Sequence, residues 1–556
     1  MRKSNLQLNL FDKIEITKLS SAKKKERFDN YCIDDYIFDV ENSGLKKTWD
    51  CICDYVIKYG QNRKLLNIDN FGEIYELGLA HVDKNKKKNS GQYFTPDDVA
   101  IVMSEWFKNT NGFNVCDVAC GTGKLILTYL NLLGKNEALK LISEGRLFLY
   151  DIDNIALKIC KTSIMLKYGI ELEKDIHSIC CDFLDRNITL PKNSKVISNP
   201  PYAGVIELKS NWAMTDVLQD TKEYYSLFME KILNQSVSAV IITPFSFVSG
   251  NKFFSLRELL CDYGNGFIVS FDNVPGNIFW GRKHGIFNTN TSNSVRASIT
   301  VVNKSDKKGI KVSPLIRFKN AERSKLLLPN VLENILPNNY QLVDTNNTTF
   351  KKIDKNLINV FEKWNKDSFF TVKDLIEKEQ SNYIIDIPNT CRYYTTASHR
   401  KLNRSGAITI NIKNEDTFNF LYCFINSSFA YWWWRIYDGG ITYPIGLFNK
   451  LPVPYNLLNN EDKRFFSITC KEMIGNESKY IIKKFNAGTK QENIKFPTEY
   501  RKKINKKILD ILEIEYVDDM FEMIHSNQFF MDSKAKIERR YTIDSSENLI
   551  LLKLNN

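Results

Sequence analysis

Apolar positions along this chain alternate between two rhythms. Short β-rich runs at residues 115–119, 147–150, 176–181, 195–198 and 239–243 read as buried strands. Between them lie segments with helical spacing, at 97–107, 124–133, 154–167, 224–233 and 253–261. Such alternation predicts an α/β fold, a parallel sheet with helices on both faces. The runs at 267–271 and 295–302 predict an antiparallel hairpin that ends it.

Outside this block, which spans 91–304, the rhythm changes. Residues 1–40 are polar, Lys-rich and weakly periodic, the composition of a flexible tail. Residues 41–90 read as helical: Leu45, Trp49, Ile52 and Val56 share one face, and 71–80 repeat the pattern. Residues 305–496 lose the strand–helix rhythm and read as α+β, with β-rich stretches at 383–386 and 408–410 and a helical run at 417–434. Residues 497–556 read as helical with a basic start.

The ends of the predicted strands carry the chemistry. In open α/β sheets ligands sit there. The run at 195–198 delivers Asn199, Pro200, Pro201 and Tyr202. Two prolines fix the backbone and remove two N–H donors. The Asn199 amide and the Pro200 carbonyl can then act as acceptors toward one small target, with the Tyr202 ring beside them. That set suits a planar base with an exocyclic amino group, and alone it equally suits a proline-rich loop after a strand. The neighbouring strand ends favour the first reading. One carries Asp117 and runs into Gly121 and Gly123, which let a ligand approach the backbone. The next ends in Asp151, able to accept both hydroxyls of a ribose. The third ends in Asp182 and Phe183, able to accept from an adenine amino group and pack its ring. A third glycine of the dinucleotide fingerprint and a Walker lysine are both missing, which favours a nucleoside cofactor without phosphates.

Charge and composition narrow the partners. A formal charge of +12 over 556 residues favours a polyanion. The twelve cysteines fall into no zinc spacing, and no metal is expected. The longest apolar stretches are too short to span a bilayer, so no membrane partner and a cytoplasmic location are expected.

In their order, residues 91–96 (Gly-Gln-Tyr-Phe-Thr-Pro), 117–123, Asp151, Asp182 and the Asn-Pro-Pro-Tyr turn resemble the motifs of the gamma-group N6-adenine DNA methyltransferases. That family includes type I modification subunits and type II restriction–modification methyltransferases. Thr243-Pro244 resembles a later motif, and the likeness spans roughly residues 72–302. Val118 stands where many members have Pro, and Asp151 where many have Glu. The resemblance implies a Rossmann-like methyltransferase domain that uses S-adenosyl-L-methionine. It implies that Thr95 contacts the methionine end, that Asp117, Gly121 and Gly123 shape the methionine side, that Asp151 binds the ribose, and that Asp182 and Phe183 hold the adenine. It implies a target adenine flipped from double-stranded DNA, since a stacked base cannot reach the methyl group. Asn199, Pro200, Pro201 and Tyr202 would hold that base. Phe279 resembles a second aromatic on its other side, with Trp280 and Phe287 as close rivals.

The resemblance also assigns target recognition to 305–496. There the basic, hydroxyl-rich stretch 392–404 is the candidate for phosphate and base contacts, and Trp432, Trp433 and Trp434 read mostly as core. Gln7, Leu8, Leu10 and Phe11 resemble the peptide by which bacterial proteins dock on the replication sliding clamp. The N-terminal part lacks the Glu-x-Lys of a fused nuclease, so a separate nuclease or specificity subunit stays open. So do three other amino-group substrates, N4-cytosine, RNA and protein glutamine, and a DNA-binding subunit without catalysis.

Overall fold

The computed structural model describes residues 95–279, 295–344, 348–404, 406–486, 489–517 and 519–525. The clamp-like peptide at 7–11, the helical segments of 41–90, residues 91–94, Trp280 and Phe287 lie outside the described residues.

The strands are β1 (Asn114–Val118), β2 (Leu147–Asp151), β3 (Ile176–Cys180), β4 (Ser194–Ser198), β5 (Ser238–Pro244), β6 (Gly264–Phe271), β7 (Ala297–Lys304) and β8 (Gly309–Ile316). They form one sheet in the order β3-β2-β1-β4-β5-β7-β6-β8. All neighbours are parallel except that β7 runs against both β5 and β6. Alternate strand residues feed two cores, as a strand's period of two requires. Val115, Ile197, Val240 and Ile242 point to one side. Cys116, Val118, Val196, Ala239 and Ile241 point to the other.

Helices α1 (Asp97–Lys108), α2 (Lys124–Leu133) and α3 (Asn154–Tyr168) cover the first face, and α4 (Tyr224–Gln235) and α5 (Phe254–Tyr263) the second. α1 shows why such segments are helical. Val99, Val102, Met103 and Trp106 line its buried face, and Asp97 and Asp98 sit in the first turn, where a helix dipole favours negative charge.

The sheet continues past the boundary expected at residue 304, because β8 adds to its edge beside β6. Lys311 and Pro314 interrupt its apolar run, and an edge strand tolerates both. The predicted hairpin is present as the antiparallel pair β6–β7, with Gly264 opposite Lys304 and Phe271 opposite Ala297.

The C-terminal part has its own core. The helical run expected at 417–434 is two helices, α6 (Glu415–Ile425) and α7 (Ser428–Tyr437). The break falls at Ser427, whose hydroxyl accepts from the Phe429 N–H at 3.2 Å and starts the second helix. Trp432, Trp433 and Trp434 are buried there, and Trp432 stacks on Trp364 at 5.6 Å.

One carboxylate joins this core to the sheet. Asp272 follows β6 and is buried. It accepts from Arg435 of α7 at 2.6 Å, from Arg296 before β7 at 3.0 Å, and from Arg317 after β8 at 3.1 Å. Burial alone would raise its pKa. The guanidinium groups of Arg435, Arg296 and Arg317 outweigh that and hold it at about 2. Since the folded value lies below the ordinary one, the stability it contributes is present above the usual carboxylate range and is lost as pH falls through about 2. Removing one partner of a buried charge group costs about 3–5 kcal/mol. Asp272→Asn is therefore expected to lower unfolding free energy at pH 7 by about that amount, measured by urea titration. A loss under about 1 kcal/mol would show that the cluster does not hold the two parts together.

Candidate functional site

The site starts from the last residue of β4. The Ser198 hydroxyl donates to the Val118 carbonyl at 2.6 Å and locks the ends of β1 and β4 together. Asn199 follows directly. Its side-chain N–H donates to the Thr95 hydroxyl at 2.9 Å, which fixes the rotation of the amide and identifies the other end as its acceptor. Thr95 is buried just before α1. Pro200 is buried and Pro201 half-buried. The Tyr202 hydroxyl donates to the Ile242 carbonyl at 3.0 Å, so its ring is pinned to β5.

Phe279 is brought to the same place. Its ring stands 6.1 Å from that of Tyr202, edge to face at 63°. This is an ordinary aromatic contact, with no parallel gap between the rings. Arg323 positions the segment by donating to the carbonyls of Asn277 at 2.8 Å and Ile278 at 2.6 Å. The same guanidinium grips Asp98 on α1. Neither contact is visible in the sequence, where these residues are far apart.

The adjoining strand ends carry the turn and two carboxyls. Gly121 and Gly123 both have positive φ, +53° and +90°. A Cβ on Gly123 would lie 2.5 Å from the Cys160 sulfur of α3, so this position requires glycine twice over. The Gly121 N–H donates to Asp151 Oδ2 at 2.7 Å, and the Asp153 N–H donates to Oδ1 at 2.8 Å. Burial raises the Asp151 carboxyl to about 6 against these two donors. Asp117 is fully buried beneath the turn and accepts from the Ile126 N–H at 3.2 Å. Among the described residues its second oxygen has no hydrogen-bond partner. Burial, then the charge of Asp151, push the Asp117 carboxyl well above the usual range. Beside Asp151, Ile152 leaves 66% of its surface exposed, an apolar face at a strand end that the sequence reading passed over.

Asp182 and Phe183 lie at the end of β3, differently engaged. Asp182 Oδ2 accepts from Lys209 at 2.7 Å and from the Trp212 indole at 3.0 Å, and Oδ1 from the Leu184 N–H at 3.1 Å. Lys209 and Trp212 belong to the loop after Tyr202, so Asp182 ties that loop down. Phe183 is 3% exposed and packs between Tyr150 and Phe228.

The basic stretch 392–404 is largely consumed by folding. Thr395, Thr396, Ala397 and Ser398 are buried. The Ser398 hydroxyl and the His399 ring both bond the buried Glu477, and Arg404 pairs with the buried Asp386 at 3.2 Å. Arg392, Arg400 and Lys401 stay exposed.

The N-6 DNA methylase family model matches residues 66–401, more than half of the chain and all of the strand ends just described. The chain belongs to the N-6 DNA methylase family. Similar curated proteins include the methylase subunit of the type I restriction enzyme MpnII of Mycoplasma pneumoniae. It is 25% identical over 352 residues, 55% of this chain and 59% of that one. The type II methyltransferase M.BsuBI of Bacillus subtilis is 28% identical over 198 residues, 32% of this chain and 38% of that one. The chain thus spans about half the length of such curated relatives. Among solved structures, a nuclease-deletion mutant of the type ISP enzyme LlaGI with a DNA substrate mimic gives a TM-score of 0.39 at 14% identity, over 84% of this chain and 62% of that one. The DrdV–DNA complex also gives 0.39 at 14%, over 58% and 38%.

For this N-6 DNA methylase family member, the turn predicts a sharp mutational effect. Gly123→Ala places a Cβ against Cys160 at positive φ, and is expected to destabilise the protein by about 2–4 kcal/mol through strain and overpacking. Thermal unfolding measures it. Unchanged melting would show that the turn can relax away from α3.

Proposed function

We propose that this chain transfers a methyl group from S-adenosyl-L-methionine to N6 of an adenine flipped out of duplex DNA. The observation that carries the reading is the Asn199 amide, set by Thr95 at the end of β4, next to the strand ends bearing Gly121, Gly123 and Asp151. Family membership and the charge of +12 support DNA as the substrate.

The residues fit the cofactor. The unpartnered oxygen of Asp117 suits a cationic amino-acid end, whose charge would offset the burial that pushes this carboxyl's pKa up. Asp151 would accept the ribose hydroxyls, and Ile152 would cover one face of the adenine ring. Asp182 holds the neighbouring loop through Lys209 and Trp212, and supports the adenine site from behind. When bound, S-adenosyl-L-methionine supplies a methyl group on a sulfonium, activated for direct transfer to a nucleophile.

The chain's own residues prepare that nucleophile. The N6 lone pair of adenine is conjugated with the ring. Acceptance of its hydrogens by the Asn199 oxygen and the Pro200 carbonyl favours a pyramidal nitrogen and frees the pair. Pro200 and Pro201 keep both acceptors rigid. Tyr202 supplies a stacking face worth about 1–3 kcal/mol, against a flipping cost of a few kcal/mol. For Phe279 to hold the other face, its edge contact with Tyr202 must open as the base enters.

Expression of the chain alone in a host lacking this modification, followed by single-molecule sequencing, tests the reading. N6-methyladenine at one short motif is expected, with Asn199→Ala lowering transfer about 100-fold or more while cofactor binding persists. An Asn199→Ala variant that methylates like wild type would remove the assigned role. The MpnII relative is a methylase subunit, and an unmodified genome from a protein that binds S-adenosyl-L-methionine would favour a chain that works with a specificity partner. The peptide at residues 7–11 would tether such an enzyme to a sliding clamp. Clamp binding that survives Leu10→Ala and Phe11→Ala would dismiss that role.

Asp151 gives a pH signature. Its folded carboxyl titrates near 6, so its charged form is complete only above that value. Affinity for S-adenosyl-L-methionine is expected to fall as pH drops below about 6, approaching about tenfold per pH unit, in calorimetric titrations. Flat affinity between pH 8 and about 5 would separate Asp151 from ribose binding.

A further inference from the structure

The C-terminal part carries a separate two-stranded sheet. Ile481–Asn486 pairs antiparallel with Thr489–Ile494. Among the described residues no third strand joins it. A lone two-stranded hairpin is marginal in water, and this one is rooted at its base. Ile494 is buried, the Lys495 N–H donates to the Tyr480 carbonyl at 2.9 Å, and the Glu492 N–H donates to the Asn403 carbonyl at 2.6 Å. Lys483, Lys484, Phe485, Lys490 and Asn493 are exposed, and Gln491 is half-buried.

Its side chains fall on two faces, because residues opposite each other in the ladder share a face. Lys483, Phe485, Lys490 and Glu492 occupy one, with Lys483 3.9 Å from Glu492, and Ile482, Lys484, Gln491 and Asn493 the other. Phe485 leaves 79% of its surface exposed. Residues 481–495 hold four lysines and one glutamate. Asn403, whose carbonyl bonds the ribbon, follows closely on Arg400 and Lys401, both exposed, with the Arg400 guanidinium 3.8 Å from Glu477. Lysines on an open edge also discourage sheet-to-sheet aggregation, which accounts for the charge. It accounts neither for an exposed phenylalanine nor for a facing row of amides.

We propose that this ribbon is the element the chain lays into the major groove of duplex DNA, with Lys484, Gln491 and Asn493 toward base edges and Lys483, Lys490, Arg400 and Lys401 on the flanking phosphates. The inference rests on DNA being the substrate. Strands of this length reach about 20 Å, and the major groove, about 12 Å wide, admits a two-stranded ribbon. Gln and Asn match the donor–acceptor edge of adenine, and Lys the acceptors of guanine. Lysine contacts to phosphate hold the register and carry no sequence information.

The experiment uses the full chain. Its motif is mapped by sequencing the expression host, and duplexes bearing that motif or a scrambled one are titrated at several salt concentrations. Gln491→Ala with Asn493→Ala is expected to relax the motif or cut its modification about tenfold or more, with the melting temperature and S-adenosyl-L-methionine affinity of wild type. Lys483→Ala with Lys490→Ala is expected to weaken both duplexes alike and reduce the salt slope by about two. The same motif, modified to the same extent, in the Gln491→Ala, Asn493→Ala protein overturns the inference. A wild-type chain that binds S-adenosyl-L-methionine but modifies no motif also overturns it, since sequence reading then lies elsewhere, while the catalytic reading stands. A wild-type chain that binds no S-adenosyl-L-methionine overturns both.

Discussion

A buried carboxylate with three guanidinium partners sets how the two halves of this molecule meet. Asp272 follows β6, next to the edge strand β8, and Arg435 reaches it from a helix whose aromatic residues belong to the second core. A cluster of this kind is weak evidence for stability as such, since well-packed apolar groups can do as well. Its geometry is what matters. Charge and hydrogen-bond direction allow one docking arrangement, whereas two apolar faces could slide. The same residue begins the segment that ends at Phe279, seven positions on, and Arg323 fixes the far end of that segment to α1. The segment carrying the aromatic beside Tyr202 is thus held at both ends by arginine contacts.

Much of the sheet was legible because β1, β2, β4 and β5 are short, largely apolar runs, mostly buried on both faces and bounded by turn residues. β8 was not, since Lys311 and Pro314 break its run and only its place at the edge makes them acceptable. The break between α6 and α7 was not, since Asn426 and Ser427 are unremarkable within a helix until a cap forms. The site divides in the same manner. Asn199, Tyr202, Gly123 and Asp151 are prominent because turn chemistry and strand ends announce them locally. The link from Thr95 to Asn199 spans 104 positions, and that from Lys209 to Asp182 spans 27. No local pattern encodes either.

Composition misled where charge met burial. The stretch 392–404 is basic and rich in hydroxyls, which suits a phosphate-binding surface. Folding spends those groups on Glu477 and Asp386, two acids that lie outside the stretch. Exposure rather than composition decides which cations can face a polyanion. Arg392, Arg400 and Lys401 remain exposed, and the last two precede Asn403, whose carbonyl bonds the ribbon.

The strand ends and the ribbon are built on opposite principles. Around Asn199 nearly every polar group is already spoken for: Thr95 takes its N–H, Ile242 the Tyr202 hydroxyl, Gly121 and Asp153 the Asp151 oxygens. Such a site pays little reorganisation when its target arrives, which is how fixed dipoles stabilise developing charge. Asp117 differs, since among the described residues its second oxygen stays unpartnered at a buried position, a cost that a bound cation or donor would offset. The ribbon makes few demands on the core and contributes little to it. Its lysines, amides and phenylalanine are held out by a short ladder and by bonds at Asn403 and Tyr480. A chain gains nothing in stability from that arrangement. Under the proposed reading it gains a narrow, basic element for a groove, while the rigid strand ends hold the base.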